Sequence, residues 1–417
     1  MRFRARRSTG DVVAPTNPVA MPQAAPSAVA AAPEPGAAGA GLSGHDIGLI
    51  RASRAAVEPH AAALPVRFYG TLFSRYPQVR ELFPPDMDVQ HDRLVRALLL
   101  IVDLVDDPAN LARFCGDLGR DHRKFGTLSG HYAAVGECLL DTLEHFAGPA
   151  WTPQVASAWT RAYGMAAQAM DQAAVADAAR RPAVWHAPIV QHVRRGPDLA
   201  EITVRPEQPY TFTGGQFVSV ETPWRPKVWR YFSPANAPRP DGTITFYVRA
   251  VPGGRISSAL VGQAVVGDVL RLGMPLGELA IDPASHRDVV CVAGGTGLAV
   301  IRALVEQALL DGAQRRVDLF VGARTAQELY GLEDLLRLSQ RHRWLTVRAA
   351  ISDEDARLTR RSLVEALAES GPWQQPDAYL SGPAPMIRAA ARVLHRTGVP
   401  FEQLHHDPFV QLDLLDG

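Results

Sequence analysis

The spacing of the apolar residues changes twice along this chain, and each spacing is typical of a different kind of structure. From about residue 43 to residue 181, apolar side chains recur every three or four positions, for example over residues 94–105, which is the pattern of one helix face. Beyond Pro182 they alternate with polar side chains, as over residues 200–204, which is the period of a half-buried strand. After about Pro283, strand-like runs alternate with helical ones. The three patterns predict three consecutive domains.

These domains are expected to differ in architecture. We expect an all-α domain over residues 43–182, a small antiparallel β-barrel over residues 183–283 and an α/β domain with a parallel sheet over residues 284–417. Residues 1–42 consist mostly of Ala, Pro and Gly. Such a segment buries too little apolar surface to offset the entropy lost on ordering it, so we expect a disordered tail.

The composition narrows the range of partners. The 43 basic and 43 acidic residues balance, so no charge excess favours a nucleic acid or an anionic membrane, and no apolar run approaches the roughly 20 residues of a membrane span. The basic start Met1–Arg7 lacks the apolar core of a signal peptide, which predicts a soluble, cytoplasmic protein. Three cysteines, expected as buried free thiols in a reducing compartment, are too few for an iron–sulfur cluster with four thiolates. They are Cys115, Cys138 and Cys291.

Two short motifs in the second domain suit a flavin nucleotide. In Arg230-Tyr231-Phe232-Ser233, which we place after a strand, an arginine fork can pair with a phosphate, an aromatic ring can cover the flavin and a hydroxyl can bond its edge. Further along, Gly253 and Gly254 permit close backbone approach, and Ser257 is expected to open a helix whose N-terminal amides favour an anion. A glycine pair before a helix is also an ordinary turn, and its position after the arginine motif is what favours a phosphate site.

One loop in the third domain suits the phosphates of a nucleotide, and two further short motifs follow later strands. Gly294-Gly295-Thr296-Gly297 lies between a buried strand and a helix, as a phosphate loop requires. Arg324 follows the next predicted strand, where it either meets a 2′-phosphate or is an ordinary surface residue. Ser381-Gly382-Pro383 follows a later strand.

In this order, the motifs of both domains resemble the flavin and nicotinamide sites of the ferredoxin-reductase-like superfamily. The resemblance implies FAD at the arginine motif and the glycine pair. It also implies NADH or NADPH at residues 294–297, with residues 381–383 beside the nicotinamide. Phe409 matches the aromatic residue that covers the flavin in relatives, although a core side chain would explain it equally well.

In the helical domain, His122 lies on an apolar helix face. Its neighbours on that face are Leu111, Phe114, Cys115, Leu118 and Phe125. A histidine in such surroundings is more often a core residue than a metal ligand. The run Asp121–Phe125 followed by Gly130–Glu137, however, resembles the proximal haem region of bacterial globins, and Trp159–Gly164 continues the resemblance.

Upstream segments resemble the oxygen-binding side of the same globins. They are Phe68–Phe73, Leu82-Phe83-Pro84 and the helix that contains Gln90. The resemblance implies haem b bound through His122, with Phe83 against its ring. It also implies that Tyr69 and Gln90 face oxygen, and that Tyr132 belongs to a network behind the histidine.

A globin followed by flavin and nicotinamide modules is the architecture of the flavohaemoglobins, and the resemblance extends from residue 43 to about residue 410. It implies that electrons pass from NAD(P)H through FAD to haem, and that the protein uses O2 to oxidise nitric oxide to nitrate, as a nitric oxide dioxygenase. The flavin is needed because a hydride brings two electrons and haem iron takes one. The partners implied are small molecules (O2, nitric oxide and NAD(P)H), with no nucleic acid or membrane, and we expect a monomer or a weak dimer.

Several positions depart from the family patterns. Phe232 replaces a tyrosine, so a phenol hydrogen bond is lost unless Tyr231 supplies it. Val300 replaces a proline and Ser381 a cysteine. The last globin helix has no glutamate over Ala173–Asp177, which makes the histidine a weaker electron donor. Two alternatives stay open: an NAD(P)H-dependent flavin oxidoreductase (diaphorase) with the globin as a minor or different acceptor, and a non-enzymatic globin that binds or senses oxygen.

Overall fold

The three predicted architectures follow one another in the structure, a computed structural model that describes residues 41–312, 315–352 and 362–406. Contacts divide the chain between Ala179 and Arg180 into two compact units. The helical domain lies in the first unit, and the antiparallel and parallel sheets lie in the second. The predicted fold class is therefore confirmed.

Six α-helices make up the described part of the first unit. They are α1 (Gly44–Val57), α2 (Leu64–Arg75), α3 (Asp88–Asp103), α4 (Pro108–His122), α5 (Ser129–Ala147) and α6 (Pro153–Ala178). Proline occupies the first turn of α2, α4 and α6, where no backbone N–H is needed and its fixed φ suits a helix. No strand interrupts residues 41–179, as the helical periodicity predicted.

Glycine allows α4 to cross α6 at close range. A Cβ atom at Gly119 would lie 2.1 Å from the carbonyl oxygen of Met170. One turn earlier, a Cβ atom at Gly116 would meet Ala173 Cβ at 3.6 Å, which is an ordinary contact. The crossing therefore requires glycine at position 119 and not at position 116. It bears on the candidate haem site because α4 ends at His122.

An antiparallel sheet forms the first half of the second unit. Its strands are β1 (Trp185–Arg194), β2 (Leu199–Val204), β3 (Phe217–Thr222), β4 (Arg225–Phe232), β5 (Ile244–Arg249) and β6 (Val269–Leu276), in the order β4-β3-β6-β1-β2-β5. An antiparallel bridge from Pro234 to Phe246 links the two edges, so the sheet curls into the predicted barrel. Ile256 and Leu260 of a short helix, α7 (Arg255–Gly262), are buried in the barrel core.

Two boundaries in this domain differ from the sequence prediction. Arg230 lies within β4 rather than after a strand. The sequence did not reveal this part of β4 because the strand has a single buried position and its apolar residues do not alternate. Helix α7 begins at Arg255, so Ser257 is its third residue rather than its first.

A parallel sheet forms the second half of this unit, and helices cover both of its faces. The strands are β7 (Val289–Gly294), β8 (Val317–Ala323), β9 (Leu345–Ile351), β10 (Asp377–Ser381) and β11 (Leu404–His406), in the order β11-β10-β7-β8-β9. The helices are α8 (Leu298–Leu310), α9 (Leu332–Arg341), α10 (Leu363–Ser370) and α11 (Ala384–Arg396). Cys291 of β7 packs in one core with Ile301 of α8, whereas Val290 packs in another with Ile387 of α11. The chain leaves β7 on one side and returns to β10 on the other, which makes the carboxyl ends of β7 and β10 a topological switch point.

Three further observations bear on the expectations from composition. No helix among the described residues is long and apolar enough to cross a membrane. The three cysteines are buried free thiols, as predicted, and burial raises the pKa of Cys115 and Cys138 to about 11 and that of Cys291 to about 12. The predicted tail, apart from residues 41 and 42, and Phe409 lie outside the described residues.

Candidate cofactor sites

His122 is held at the end of α4 in an orientation that suits a metal ligand. Its Nδ1 atom lies 2.7 Å from the carbonyl oxygen of Leu118, to which it donates when Nδ1 carries the proton. Burial lowers the pKa of the imidazole, so the neutral form is favoured. A neutral ring with its proton on Nδ1 leaves Nε2 as the lone-pair nitrogen, which is the arrangement of a typical metal-binding histidine.

Residues of α2, of α3 and of the segment between them supply an apolar wall and two polar groups. Phe83, Met87, Leu94 and Leu98 pack against the core while keeping part of their surface exposed. The ring of Tyr69 stacks on His91 at 5.5 Å between centroids and meets Phe83 edge-on at 5.5 Å. Its hydroxyl lies 3.4 Å from the Gln90 carbonyl oxygen.

Gln90 carries a buried polar atom that no hydrogen bond satisfies. Its side-chain oxygen Oε1 is buried and has no partner among the described residues. A buried acceptor without a hydrogen bond destabilises the folded protein unless a ligand or a water molecule donates to it. Tyr69 is nearby and buried, and burial raises the pKa of its hydroxyl, which keeps it a neutral donor. These residues fit the oxygen side of a haem pocket, and their assignment to it is our proposal.

Two ion pairs lie next to His122 in the chain, and neither was predicted from the sequence. Lys124 Nζ lies 2.6 Å from Asp121 Oδ1, and Arg123 pairs with Asp177 at the end of α6. All four side chains are largely buried, and burial lowers the pKa of Lys124. The three-residue spacing of Asp121 and Lys124 was a usable signal. Arg123 and Asp177 are 54 positions apart, and nothing in the sequence linked them.

The predicted network behind the histidine is not assembled around a carboxylate. Among the described residues, His122 hydrogen-bonds the Leu118 carbonyl and no acidic side chain. The nearest acids of α6 have other partners, since Asp177 pairs with Arg123 and Asp171 accepts from the Ser129 hydroxyl at 2.5 Å. Tyr132 is half-buried, and burial raises the pKa of its hydroxyl. Its role behind the histidine stays a prediction.

Strand register separates the two aromatic residues of the arginine motif. Arg230 pairs across the ladder with Val220, and Phe232 pairs with Val218, so both lie on the same face of β4. Tyr231 lies on the opposite face, where its ring meets Phe217 edge-on at 5.0 Å. Tyr231 therefore does not take the place of Phe232, and a flavin stacked on the Phe232 side lacks a phenol hydrogen bond from this motif. Ser233 is half-buried directly after the strand.

The glycine pair before α7 shapes a turn that ends at an open helix terminus. Gly253 has φ +73°, and a Cβ atom at Gly254 would lie 2.5 Å from Ser257 Oγ. The N-cap is Gly254, and no side chain caps the helix; a helix N-terminus of this kind favours an anion. The Ser257 hydroxyl accepts from the Val251 N–H at 3.3 Å, so it serves the loop itself.

The loops after β7 and β10 meet at the topological switch point. A Cβ atom at Gly294 would lie 2.3 Å from Met386 Sδ, and one at Gly297 would lie 2.3 Å from the Ser381 carbonyl oxygen. Gly295 has φ +53°, and α8 begins without a side-chain cap. The structure thus brings together the two predicted loops, with Thr296, Gly382 and Pro383 among them, in the crevice at this switch point. Glycine at positions 294 and 297 allows the two loops to approach closely. A phosphate loop at a switch point has the same need for glycine.

Arg324 lies beside the same crevice, directly after β8, and is bound to an acid. Its Nη2 atom is 2.6 Å from Glu328 Oε1, and its backbone N–H donates to Glu328 Oε2 at 3.0 Å. These bonds hold the pKa of Glu328 below its usual range. A second arginine, Arg249 of β5, lies 3.6 Å from Glu328. The sequence reading missed Glu328, although an arginine and a glutamate four positions apart were a visible signal.

Comparison with known proteins matches each of the three domains to a family. A model of the globin family matches residues 66–170, the oxidoreductase FAD-binding domain matches residues 188–281 and the oxidoreductase NAD-binding domain matches residues 291–392. The chain is 27% identical over 392 residues to a flavohemoprotein of Bordetella pertussis, covering 87% of this chain and 96% of that protein.

Two other relatives show how the similarity is distributed. The chain is 35% identical over 226 residues to the xylene/toluene monooxygenase electron transfer component XylA of Pseudomonas putida, covering 53% of this chain and 64% of that protein. Its fold is similar to the crystal structure of a flavohemoglobin from Malassezia yamatoensis with bound FAD and heme, with a TM-score of 0.71 at 18% identity. That similarity covers 88% of this chain and 99% of the other.

Proposed function

The chain belongs to the flavohaemoglobins, in which a globin precedes FAD-binding and NAD-binding oxidoreductase domains, and we propose that it is a nitric oxide dioxygenase. Its cofactors are haem, FAD and a nicotinamide dinucleotide. When bound, these groups carry two electrons from the nicotinamide to the flavin and single electrons from the flavin to haem, which activates O2 for reaction with nitric oxide. The protein residues supply position, polarity and exclusion of water.

The observation that carries the proposal is the buried, unpartnered side-chain oxygen of Gln90, a residue whose backbone carbonyl lies 3.4 Å from the buried Tyr69 hydroxyl. A dioxygenase needs polar groups that orient O2 in an otherwise apolar pocket. Tyr69 is a neutral donor because burial raises the pKa of its phenol. The Gln90 side-chain oxygen Oε1 is buried and has no partner among the described residues, and the backbone carbonyl oxygen of the same residue lies 3.4 Å from the Tyr69 hydroxyl. Together they support oxygen chemistry rather than electron transfer alone.

In the proposed haem pocket, His122 would hold the iron and Phe83 would pack against the haem. The hydrogen bond from Nδ1 to the Leu118 carbonyl fixes the ring orientation and the tautomer, so that Nε2 is held ready for iron. The apolar surfaces of Leu94 and Leu98 exclude water from the site, which protects reduced haem from side reactions.

In the reductase half, backbone groups rather than side chains are proposed to hold most of the cofactor charge. The N-termini of α7 and α8 offer N–H groups to the flavin and nicotinamide phosphates, and Arg230 adds a guanidinium for a phosphate oxygen. Phe232 would cover the flavin without offering a phenol hydrogen bond. Ser381, buried at the end of β10, lies where the nicotinamide is expected.

One observation favours the second candidate function, a diaphorase in which the globin is a minor acceptor. Among the described residues no carboxylate hydrogen-bonds His122, and Asp177 is engaged by Arg123. A histidine that donates only to a backbone carbonyl gives less electron density to iron. Sequence identity points the same way. It is 35% over 226 residues with the electron transfer component XylA and 27% over 392 residues with the Bordetella pertussis flavohemoprotein.

Consumption of nitric oxide separates these candidates. The protein loaded with haem and FAD is mixed with NADH and O2, and nitric oxide is followed with an electrode while nitrate is assayed. We expect nitric oxide to disappear with nitrate as the product, and only when the nucleotide is present. Fast reduction of an artificial dye with slow loss of nitric oxide would support the diaphorase and contradict the dioxygenase.

A further inference from the structure

We propose that Glu328 selects NADH over NADPH by binding Arg324, whose guanidinium group would otherwise bind a 2′-phosphate. The inference rests on the proposed function in one respect, namely that a nicotinamide dinucleotide binds at the carboxyl edge of the parallel sheet. It assigns a specificity-determining role to a residue that lies outside every motif of the sequence.

The position of Glu328 beside the nucleotide crevice follows from strand order. Strand β8 is the neighbour of β7 in the sheet, and the phosphate loop Gly294–Gly297 follows β7. In such folds the adenosine ribose lies over the end of the neighbouring strand, where an acid accepts from the 2′-hydroxyl of NAD or an arginine donates to the 2′-phosphate of NADP. Here Arg324 follows β8 directly, and Glu328 lies in the next short turn, Ala326–Glu328.

Both oxygens of the Glu328 carboxylate are used by Arg324. Oε1 lies 2.6 Å from Arg324 Nη2, and Oε2 accepts from the Arg324 backbone N–H at 3.0 Å and from its Nε at 3.4 Å. The Arg324 side chain is 76% exposed, whereas that of Glu328 is only 19% exposed. The acid is therefore the fixed member of the pair, and the arginine is the member that a ligand can reach.

A second arginine anchors Glu328 from the barrel side. Arg249 Nη2 lies 3.6 Å from Glu328 Oε1, and Arg249 Nη1 lies 2.6 Å from Asp198 Oδ2. Because Arg249 belongs to β5, the carboxylate is held between two domains of the same compact unit. An acid held in this way stays in place when a nucleotide arrives.

The charges favour the unphosphorylated ribose. A 2′-phosphate, with a charge of about −2 as in other phosphate monoesters, would face the carboxylate and compete with it for the Arg324 fork. The 2′-hydroxyl of NADH brings no charge and can donate to a carboxylate oxygen. An arginine alone at this position would indicate NADPH, and the bound glutamate reverses that indication.

The test compares both nucleotides with wild type and Glu328→Gln protein, by following bleaching of bound FAD. Glutamine keeps the size of the side chain and an acceptor oxygen but removes the charge. We expect wild type to prefer NADH, and Glu328→Gln to raise the ratio of kcat/KM for NADPH over NADH roughly tenfold, as loss of one like charge near the surface allows. Adding Arg324→Gln to Glu328→Gln should abolish the gain.

Glu333→Gln is the matched control, because Glu333 is an exposed acid at the start of α9 and its loss changes the net charge equally. An unchanged ratio in Glu328→Gln, a similar gain in Glu333→Gln, or wild type that uses both nucleotides equally would overturn the inference alone. If neither nucleotide bleaches the flavin, both the proposed function and the inference about Glu328 are contradicted. Loss of nitric oxide consumption with normal flavin bleaching would contradict the dioxygenase and leave the nucleotide preference standing.

Discussion

His122 is the residue on which the haem assignment depends. We predict that His122→Gly removes the Soret band of bound haem, and that added imidazole restores it by filling the space of the lost ring. His145→Gly is the control, because it carries the same cost of glycine near a helix end but removes an exposed ring. Haem binding by His122→Gly at wild-type strength, without imidazole, would contradict the assignment.

Tyr69 is the residue that should retain oxygen. Replacing it with Phe removes one hydrogen bond, so we expect O2 to leave the ferrous protein roughly tenfold faster. Tyr76→Phe removes a hydroxyl that bonds Glu137 at 2.7 Å and should leave the rate unchanged. Because burial raises the pKa of Tyr69, the wild-type rate should stay flat as pH rises to the usual tyrosine pKa of about 10. A Tyr69→Phe rate equal to wild type, measured by flash photolysis, would show that the phenol does not face the ligand.

Single residues could be predicted from the sequence where a short motif carries them. The glycines of 294–297 were identified because a strand, a loop and a helix follow one another. The structure explains Gly294 and Gly297 by the contacts that a Cβ atom would make there, and Gly295 by its positive φ. The face of Tyr231 was out of reach, since it depends on the register of β4 against β3. The partner of Asp177 was out of reach as well, because it lies on another helix.

At the scale of elements, the crossing of α4 and α6 gives a paired prediction. Gly119→Ala would place a Cβ atom 2.1 Å from the Met170 carbonyl oxygen, and a backbone atom cannot move aside as a side chain can. We expect about 2–3 kcal/mol of destabilisation and weaker haem retention. Gly116→Ala, with 3.6 Å to its nearest neighbour, should stabilise the helix by up to about 1 kcal/mol. Urea unfolding measures the stability of the two variants. Equal stability of Gly119→Ala and Gly116→Ala would contradict the close crossing.

Elements with a clear apolar period were predicted well, and those without one were not. The alternation at 244–248 and the buried run at 289–293 correspond to β5 and β7. Strand β4 has few buried positions, so its ladder with β3 left no mark in the sequence. The start of α7 was placed two residues late, at Ser257, because the N-cap is Gly254 and no side chain marks the start of the helix.

At the scale of the whole molecule, one chain joins a reductase to its electron acceptor. The change of apolar period near residue 182 predicted the separation, and contacts divide the chain between Ala179 and Arg180. Three cysteines excluded an iron–sulfur acceptor, and all three are buried. What the sequence could not supply is how fast electrons cross, because that depends on the surroundings of His122, which has no carboxylate partner among the described residues.

Anaerobic reduction of the protein by NADH tests the central claim most directly. Ferric protein loaded with FAD is mixed with NADH in a stopped-flow spectrophotometer, and the flavin and Soret bands are recorded together. The account predicts that the flavin bleaches first and the haem becomes ferrous afterwards, at a rate that does not depend on protein concentration. A flavin that bleaches while the haem stays ferric, or haem reduction that speeds up in proportion to protein concentration, would contradict transfer within one chain.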